Sequence, residues 1–286
     1  MIKYEWRTEL SRPEADGLSG LLTRAAAYDA EPGYNTIDFA DVAQSMAIDD
    51  SPDRHLLIWM LPHATAMDEP NAEECIAGLL RLTGGPDGCA EATAVIDPGL
   101  RSIGIMTLLL EQVGLATSGP DGWLGTGAHT ITSWARGNHP ASGRLSDRFL
   151  IPRTRRVWQL IRGAESESDL TAAPVLEPCG STASGARYAL REGSRIMGSV
   201  ALNRQPVWSE EFGDCAVVDV VDAAPAAPPG ALRRLLDGAV AVAAEAGLFG
   251  AVIHVDSGDT RLVNAARLAG FHHDRTDVRY QLGGNR

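Results

Sequence analysis

The sequence has little positive charge and few cysteines. Lys and Arg together number 25 against 37 Asp and Glu, which gives the 286-residue chain a formal net charge of −12. This balance argues against a nucleic-acid binder, which needs clustered basic residues, and against docking on anionic membranes. The 4 cysteines form no C-x-x-C pair and have no metal-like spacing with a histidine. We therefore expect reduced thiols and no metal site.

Long apolar runs are also lacking. No stretch approaches the ~18 apolar residues of a membrane-spanning helix, and the first residues lack the basic-then-apolar order of a signal peptide. We therefore expect a cytoplasmic protein. Hydrophobic residues nevertheless make up 44% of the chain, which is enough for a packed core.

A polar, acidic segment that ends in proline divides the chain into two parts of ordinary domain size. We expect an N-terminal domain at 1–163, a linker at 164–176 and a C-terminal domain at 177–286. Each part repeats a similar order of strands and helices. Such a repeat suggests two copies of one α/β unit.

Apolar spacing predicts some elements clearly and leaves others open. One helical face near the N-terminus carries Leu18, Leu21, Leu22 and Ala25. Residues 73–82 fit either a helix or a strand, because a short apolar run supports both.

The most informative segment is 94–106, where an apolar run ends at Pro98-Gly99 and an Arg-x-x-Gly turn leads into a helical pattern. We expect a strand at 91–96 and a helix at 101–113. A strand, a glycine-containing loop and a helix in that order direct backbone N–H groups at one point, which can bind phosphate. The alternative is an ordinary strand-to-helix turn with a solvated Arg101.

Two motifs carry a resemblance to a known family. The run Arg101-Ser102-Ile103-Gly104-Ile105-Met106, and the later segment from Asn264 to Gly270-Phe271, resemble the GCN5-related N-acetyltransferase (GNAT) superfamily. A tandem arrangement of this length, with residues 134–141 and 254–280, is similar to its mycothiol synthase branch. The resemblance implies an α/β fold class: two tandem GNAT folds, each a mixed, splayed β-sheet flanked by helices.

The resemblance also implies acetyl-CoA as the acyl donor. Its pantetheine would pair with a strand edge as an added strand does, and its pyrophosphate would bind loop N–H groups. The cofactor-binding residues so implied are Ala94, Val95, Ile96, Arg101, Ser102, Ile103, Gly104, Ile105 and Met106.

The sequence departs from the family pattern in two places. Met106 stands where the family prefers Gly or Ala, and its side chain could either crowd the pyrophosphate or point away from it. In the second half the corresponding loop lacks Arg-x-x-Gly-x-Gly, and Pro225, Pro228 and Pro229 remove N–H donors. We therefore expect that the second half does not bind CoA in the family's manner.

Two carboxylates are candidate catalytic residues. Glu91, on the strand that leads into the loop, is the nearest candidate base in the first half; the alternative is an exposed strand-end carboxylate. Asp214 lies near the position at which the resemblance places a substrate-contacting Glu, with a register uncertain by one residue. No Tyr stands at the family's acid position, and Leu145 lies near it in the first half.

These observations predict an acetyl-CoA-dependent N-acetyltransferase acting on a primary amine of a small molecule. Two alternatives stay open: a non-catalytic acyl-CoA-binding protein with a degenerate second domain, and an acetyltransferase for protein or peptide amines. Neither nucleic acid nor membrane is an expected partner, and the expected assembly is a monomer or a homodimer.

Overall fold

The structure is a computed structural model that describes residues 2–30, 34, 36–60, 74–164, 172–203 and 205–284. The chain forms two compact units, Met1–Thr154 with Val278–Arg286, and Arg155–Asp277. Most of the predicted linker, at 165–171, lies outside the described residues.

The two units differ from the predicted domains 1–163 and 177–286 by two strand segments. Residues 157–163 pair with Gly250–Asp256 in the second unit, and the chain's last strand from Val278 pairs with Thr130–Ala135 in the first. The boundaries of the units lie within two strands. Composition marks the acidic linker but carries no signal for strand pairing, so the sequence did not predict these boundaries.

Within its described residues, the first unit has seven strands or strand segments and four helices along the chain. They are β1 (Ile2–Arg7), α1 (Arg12–Ala30), α2 (Phe39–Met46), β2 (Arg54–Met60), β3 (Cys75–Gly84), β4 (Cys89–Ile96), α3 (Ile105–Val113), β5 (Thr130–Ala135), α4 (Pro140–Phe149), the start of β6 (Arg153–Gly163) and the end of β13 (His272–Gly283).

The second unit follows with the remaining elements. They are β7 (Leu176–Ser181), β8 (Gly185–Glu192), β9 (Arg195–Asn203), β10 (Val207–Ser209), β11 (Gly213–Ala223), α5 (Ala231–Glu245), β12 (Gly250–Asp256) and α6 (Thr260–Leu268), together with most of β6 and the start of β13.

In the first unit, the sheet order is β1-β2-β3-β4-β5-β13. Neighbouring strands are antiparallel except β4 and β5, which are parallel. The segment that fitted either a helix or a strand is β3, half of whose 10 residues are buried because helices cover both faces of the sheet.

Helix α1 confirms the predicted apolar face. Leu18, Leu21, Leu22 and Ala25 are fully or almost fully buried and pack with Val95 of β4 on one face of the sheet. The helix begins after Ser11 because the Glu14 carboxylate accepts hydrogen bonds from the Ser11 N–H (2.9 Å) and hydroxyl (2.8 Å). The other face of the sheet packs against α3.

The second unit has the strand order β6-β12-β11-β9-β8-β7, with β10 beside β11. Its parallel pair is β11 and β12. Helices α5 and α6 bury their apolar faces on this sheet in one core that includes Leu235, Leu236, Ile253 and Phe271. Each unit thus has a parallel strand pair, and a helix follows the first strand of that pair along the chain: α3 follows β4, and α5 follows β11.

Candidate functional site

The parallel strands of the first unit separate after three residue pairs. Cys89, Ala90 and Glu91 pair with Thr130, Ile131 and Thr132, and no later pair joins the described residues of β4 and β5. On its other side, β4 stays paired with β3 as far as Ile96. Apart from the Ile96 carbonyl, which accepts from the Arg101 side chain, the edge from 92 to 96 therefore has backbone donors and acceptors that an extended ligand can use.

The three edge residues predicted from sequence lie on this free segment. Ala94 is exposed, Val95 is buried in the core beneath α1, and Ile96 packs on the α3 face. This alternation is that of a regular strand. It leaves the backbone edge open while two of the three side chains hold the strand in place.

The loop after β4 leaves several N–H groups without a backbone acceptor. Ser102 has a φ of 67° and Gly104 a φ of 87°, both left-handed. No turn or loop hydrogen bond in the described chain uses the N–H groups of Ser102, Ile103 or Gly104. A Cβ built on Gly104 would meet nothing within 4 Å. Three consecutive donors are therefore left without a backbone acceptor beside open space at Gly104, which suits an anion.

Helix α3 begins at Ile105, four residues later than predicted. Left-handed Gly104 is its N-cap, and the first hydrogen bond across the junction runs from the Leu108 N–H to the Gly104 carbonyl at 2.8 Å. The N–H groups at 105–107 are those an α-helix leaves without an intrahelical acceptor. They continue the row of donors from the loop.

Met106 does not crowd this row. Its side chain packs against the core on the α3 face, beside buried Ile105. The exposed side chains are those of Ser102 and Ile103, the latter 52% exposed. The question that the sequence left open is therefore decided by packing, with Met106 directed into the core.

Arg101 is held away from solvent. Its guanidinium donates to both carboxylate oxygens of Asp29, at 2.6 and 2.8 Å, and its Nε donates to the Ile96 carbonyl at 3.1 Å. Its backbone N–H donates to the Pro98 carbonyl at 3.4 Å. Three of the five N–H groups of the guanidinium and the backbone N–H of Arg101 therefore already have acceptors, although the resemblance implied a binding role for this residue.

A histidine not identified from the sequence lies beyond β5. His139 caps α4, because its Nδ1 accepts a hydrogen bond from the Ala141 N–H at 3.1 Å, and its ring contacts Tyr34 at 4.4 Å between centroids. Burial and then the charge of Arg101 lower the pKa of His139. The neutral ring therefore carries its proton on Nε2. The N-cap position before Pro140 is the sequence signal that could have identified it.

Glu91 lies where the two strands separate. It pairs with Thr132 in the last residue pair of β4 and β5 and with Thr83 of β3. Its side chain is exposed, and among the described residues none donates a hydrogen bond to its carboxylate. Glu91 therefore lies between the paired part of β4 and β5 and the open edge of β4.

The second unit repeats the strand separation without the same loop. Four pairs, from Cys215–Gly250 to Val218–Ile253, join β11 to β12 before the strands part. Gly230 precedes α5 with a φ of 92° and no neighbour within 4 Å of a built Cβ, as Gly104 precedes α3. Alignment on these two glycines compares the loops residue by residue.

That comparison shows how many donors the second loop has lost. Prolines 228 and 229 stand where the first loop has Ser102 and Ile103, and a proline has no N–H. The Ala227 N–H donates to the Ala224 carbonyl at 2.8 Å, and the Ala231 N–H donates to the Pro228 carbonyl at 3.2 Å. From 227 to 231, only the Gly230 N–H has no backbone acceptor in a turn.

Asp214 lies at the other end of its strand. It pairs with Trp208 of β10, near the start of β11, whereas the strands of this unit part after Val218. Its side chain is exposed, and Trp208 beside it is 75% exposed. The structure therefore does not bring Asp214 to the strand separation or the loop of its own unit.

Solved structures share this architecture over the whole chain. A GCN5-related N-acetyltransferase from Sphaerobacter thermophilus is 15% identical, covers 98% of this chain and 95% of its own, and superposes with a TM-score of 0.58. A tandem GNAT protein from the clavulanic acid biosynthesis pathway is 11% identical over 100% of both chains, with a TM-score of 0.59. This chain has the tandem GNAT fold.

A further tandem-length match supports the same fold. A GNAT-family acetyltransferase from Colwellia psychrerythraea is 10% identical, covers 99% of both chains and has a TM-score of 0.53. No family model matches the sequence, and no curated protein matches it. The solved structures thus confirm the tandem GNAT fold that the two sequence motifs suggested.

The described part of the chain gives two further findings. None of its helices combines the length and apolar character needed to cross a membrane. No group of three or more His, Cys, Asp or Glu side chains in the same part of the chain could hold a metal ion.

Proposed function

We propose that this chain is an acetyl-CoA-dependent N-acetyltransferase that acts on a primary amine of a small molecule, with its donor site in the first unit. One observation carries the proposal: the free edge of β4 leads directly into a loop with three unpaired N–H groups and then into the start of α3.

The residues fit acetyl-CoA at both ends. The free edge beyond Glu91 can pair with the amide groups of pantetheine as with an added strand. The N–H groups from Ser102 to Met106, at the positive end of α3, can hold the pyrophosphate. The space before Gly104 allows the phosphates to approach the backbone.

The chemistry needs one proton acceptor from the protein. When bound, acetyl-CoA would supply an acetyl thioester: the amine nitrogen bonds to the acetyl carbon, the carbon–sulfur bond breaks, and the sulfur leaves as the CoA thiol. Glu91 would take a proton from the ammonium group, directly or through water, so that the nitrogen lone pair can attack. A backbone N–H on the free edge of β4 would stabilise the negative charge that develops on oxygen.

No residue at the family's acid position can return a proton to sulfur. Leu145 stands near that position and packs in the core on the α3 face. Water would therefore protonate the departing CoA thiolate, and the proton that the attacking nitrogen gives up on forming the amide balances this transfer. The resemblance to mycothiol synthase rests on sequence alone, so the proposal names the acceptor only as a primary amine.

Thiol release tests the proposed function. The full chain is incubated with acetyl-CoA and a panel of small primary amines and lysine peptides, and free thiol is measured. Turnover with a small amine supports the proposal, and turnover with peptides alone would instead favour a protein acetyltransferase. CoA binding without thiol release from any amine would indicate an acyl-CoA-binding protein.

Paired glycine variants test the location of the donor site. Gly104→Glu places a carboxylate among the phosphate-binding N–H groups and should abolish CoA binding in calorimetry. Gly230→Glu makes the same change at the same helix position of the second unit, with a similar left-handed φ. Both variants strain the backbone by about 1–2 kcal/mol, so stability alone does not separate them. If Gly104→Glu still binds CoA and Gly230→Glu does not, the assignment is refuted.

A further inference from the structure

Asp29 and Arg101 form a close ion pair across 72 residues of sequence. Asp29 lies in the last turn of α1 and is 5% exposed. It accepts two hydrogen bonds from the guanidinium of Arg101. The Nε of the same guanidinium donates a third hydrogen bond to the carbonyl of Ile96, at the end of β4. The arginine therefore ties the end of α1, the end of β4 and the start of the phosphate-binding loop to one another.

Part of the remaining surface of the guanidinium is also covered. The ring of Tyr28 lies 5.1 Å from it, and the Arg101 side chain is only 20% exposed. The hydrogen bonds that the guanidinium donates to Asp29 raise the pKa of Arg101 above its ordinary value. A guanidinium with this many partners has little capacity left for a phosphate.

The loop that follows needs such an anchor. Ser102 holds a left-handed φ of 67° directly after Arg101, and Gly104 follows at 87°. A non-glycine residue at positive φ is strained by about 1–3 kcal/mol and persists only where its surroundings fix it. The bonds of Arg101 to Asp29 and Ile96 fix the residue before Ser102.

We propose that Asp29 is a positioning residue for the CoA diphosphate: through Arg101, it holds the N–H groups of the loop in their binding arrangement without touching the ligand. The inference rests on the proposed function and adds a contribution from α1. It also changes the role expected for the arginine of the motif. Here the Arg101 side chain binds Asp29 and Ile96, and the backbone N–H groups of the loop bind the anion.

The two possible roles of Arg101 predict opposite results. If Arg101 positions the loop, removing Asp29 weakens diphosphate binding. If Arg101 is a phosphate ligand that Asp29 withholds, removing Asp29 frees the cation and strengthens diphosphate binding. A single neutral substitution therefore decides between them.

The experiment compares acetyl-CoA with S-acetylpantetheine, which lacks the diphosphate. The readout is the ratio of kcat/KM for the two donors, with thermal unfolding as a check on folding. Asp29→Asn should lower this ratio about tenfold or more, because displacement of about 1 Å in a binding group can cost up to about a hundredfold. Arg101→Gln should lower it equally, and the double variant no further, since both remove one interaction.

Two other variants serve as comparisons. Arg24→Gln removes a second ion pair between α1 and this segment, from Arg24 to Asp97 at 2.6 Å. Arg24 is 58% exposed and its partner precedes the left-handed turn, so the ratio should change less than about twofold. Arg101→Lys keeps the charge with a single donor group, so it should give an intermediate ratio and covers the case in which Asp29→Asn does not fold.

The outcomes separate this inference from the proposed function. If the wild type binds no CoA, both are overturned. If the wild type binds CoA without turnover, calorimetry replaces the ratio, and Asp29→Asn should bind CoA about tenfold more weakly. An unchanged or higher ratio in folded Asp29→Asn, or a double variant much worse than either single one, overturns the positioning role alone.

Discussion

Acid should destabilise the first unit through His55. This side chain lies on β2 and is 2% exposed, and its Nε2 lies 2.9 Å from the Ser45 hydroxyl. That hydroxyl donates to the Val42 carbonyl at 3.0 Å, so it accepts from Nε2–H of a neutral ring. Burial, and then the charge of Arg81, lower the pKa of His55 from 6.5 to about 4.

The direction in which stability changes with pH depends on whether the folded or the unfolded state binds more protons. Between about pH 4 and pH 6.5 the unfolded chain protonates His55 and the folded chain does not, so stability falls as pH falls. At about 1.4 kcal/mol for each pH unit, roughly 2 kcal/mol is lost by about pH 5 and roughly 3 kcal/mol below about pH 4. Above pH 6.5 the contribution is fully present.

Urea unfolding followed by circular dichroism, at about pH 7 and about pH 5, measures this loss. His55→Gln should be less stable than the wild type near neutral pH, and its stability should fall less on acidification, by about 2 kcal/mol. His273→Gln, at an exposed histidine that bonds Thr276, should keep the pH dependence of the wild type. Equal losses in the wild type and His55→Gln would refute the reasoning.

Two further predictions concern catalysis and folding. Glu91→Gln should lower kcat/KM for the amine about a hundredfold or more while the dissociation constant for CoA stays unchanged, because an amide accepts no proton; steady-state kinetics and calorimetry measure the two effects, and a large change in CoA affinity would contradict the assignment. Asp38→Ala should cost about 1 kcal/mol in urea unfolding, because Asp38 caps α2 by accepting a hydrogen bond from the Ala40 N–H at 2.8 Å. Asp41→Ala, exposed in the first turn of the same helix, is its control and should cost less.

The local pattern of residues was enough to predict the elements of the site. The spacing of Leu18, Leu21 and Leu22 predicted the buried face of α1, and the order of strand, glycine loop and helix at 94–106 is present in the structure. The prolines at 228 and 229 already indicated that the second loop is poor in donors. These features depend on residues a few positions apart, so the spacing of residue types in the sequence is enough to predict them.

Other features depend on contacts between distant segments, and only the tertiary structure shows them. The late start of α3 follows from the left-handed backbone at Gly104, and the direction of Met106 follows from packing in the core. The pairing of Arg101 with Asp29 joins residues that no motif connects.

For this protein, the sequence by itself determined where the proposed phosphate-binding backbone lies along the chain. The tertiary structure decided which groups of that segment are free to bind, because strand separation after Glu91 and the engagement of Arg101 by Asp29 both arise from long-range contacts. A motif specifies residue types at fixed spacing, whereas availability for a ligand depends on what else in the folded chain has already bound each donor.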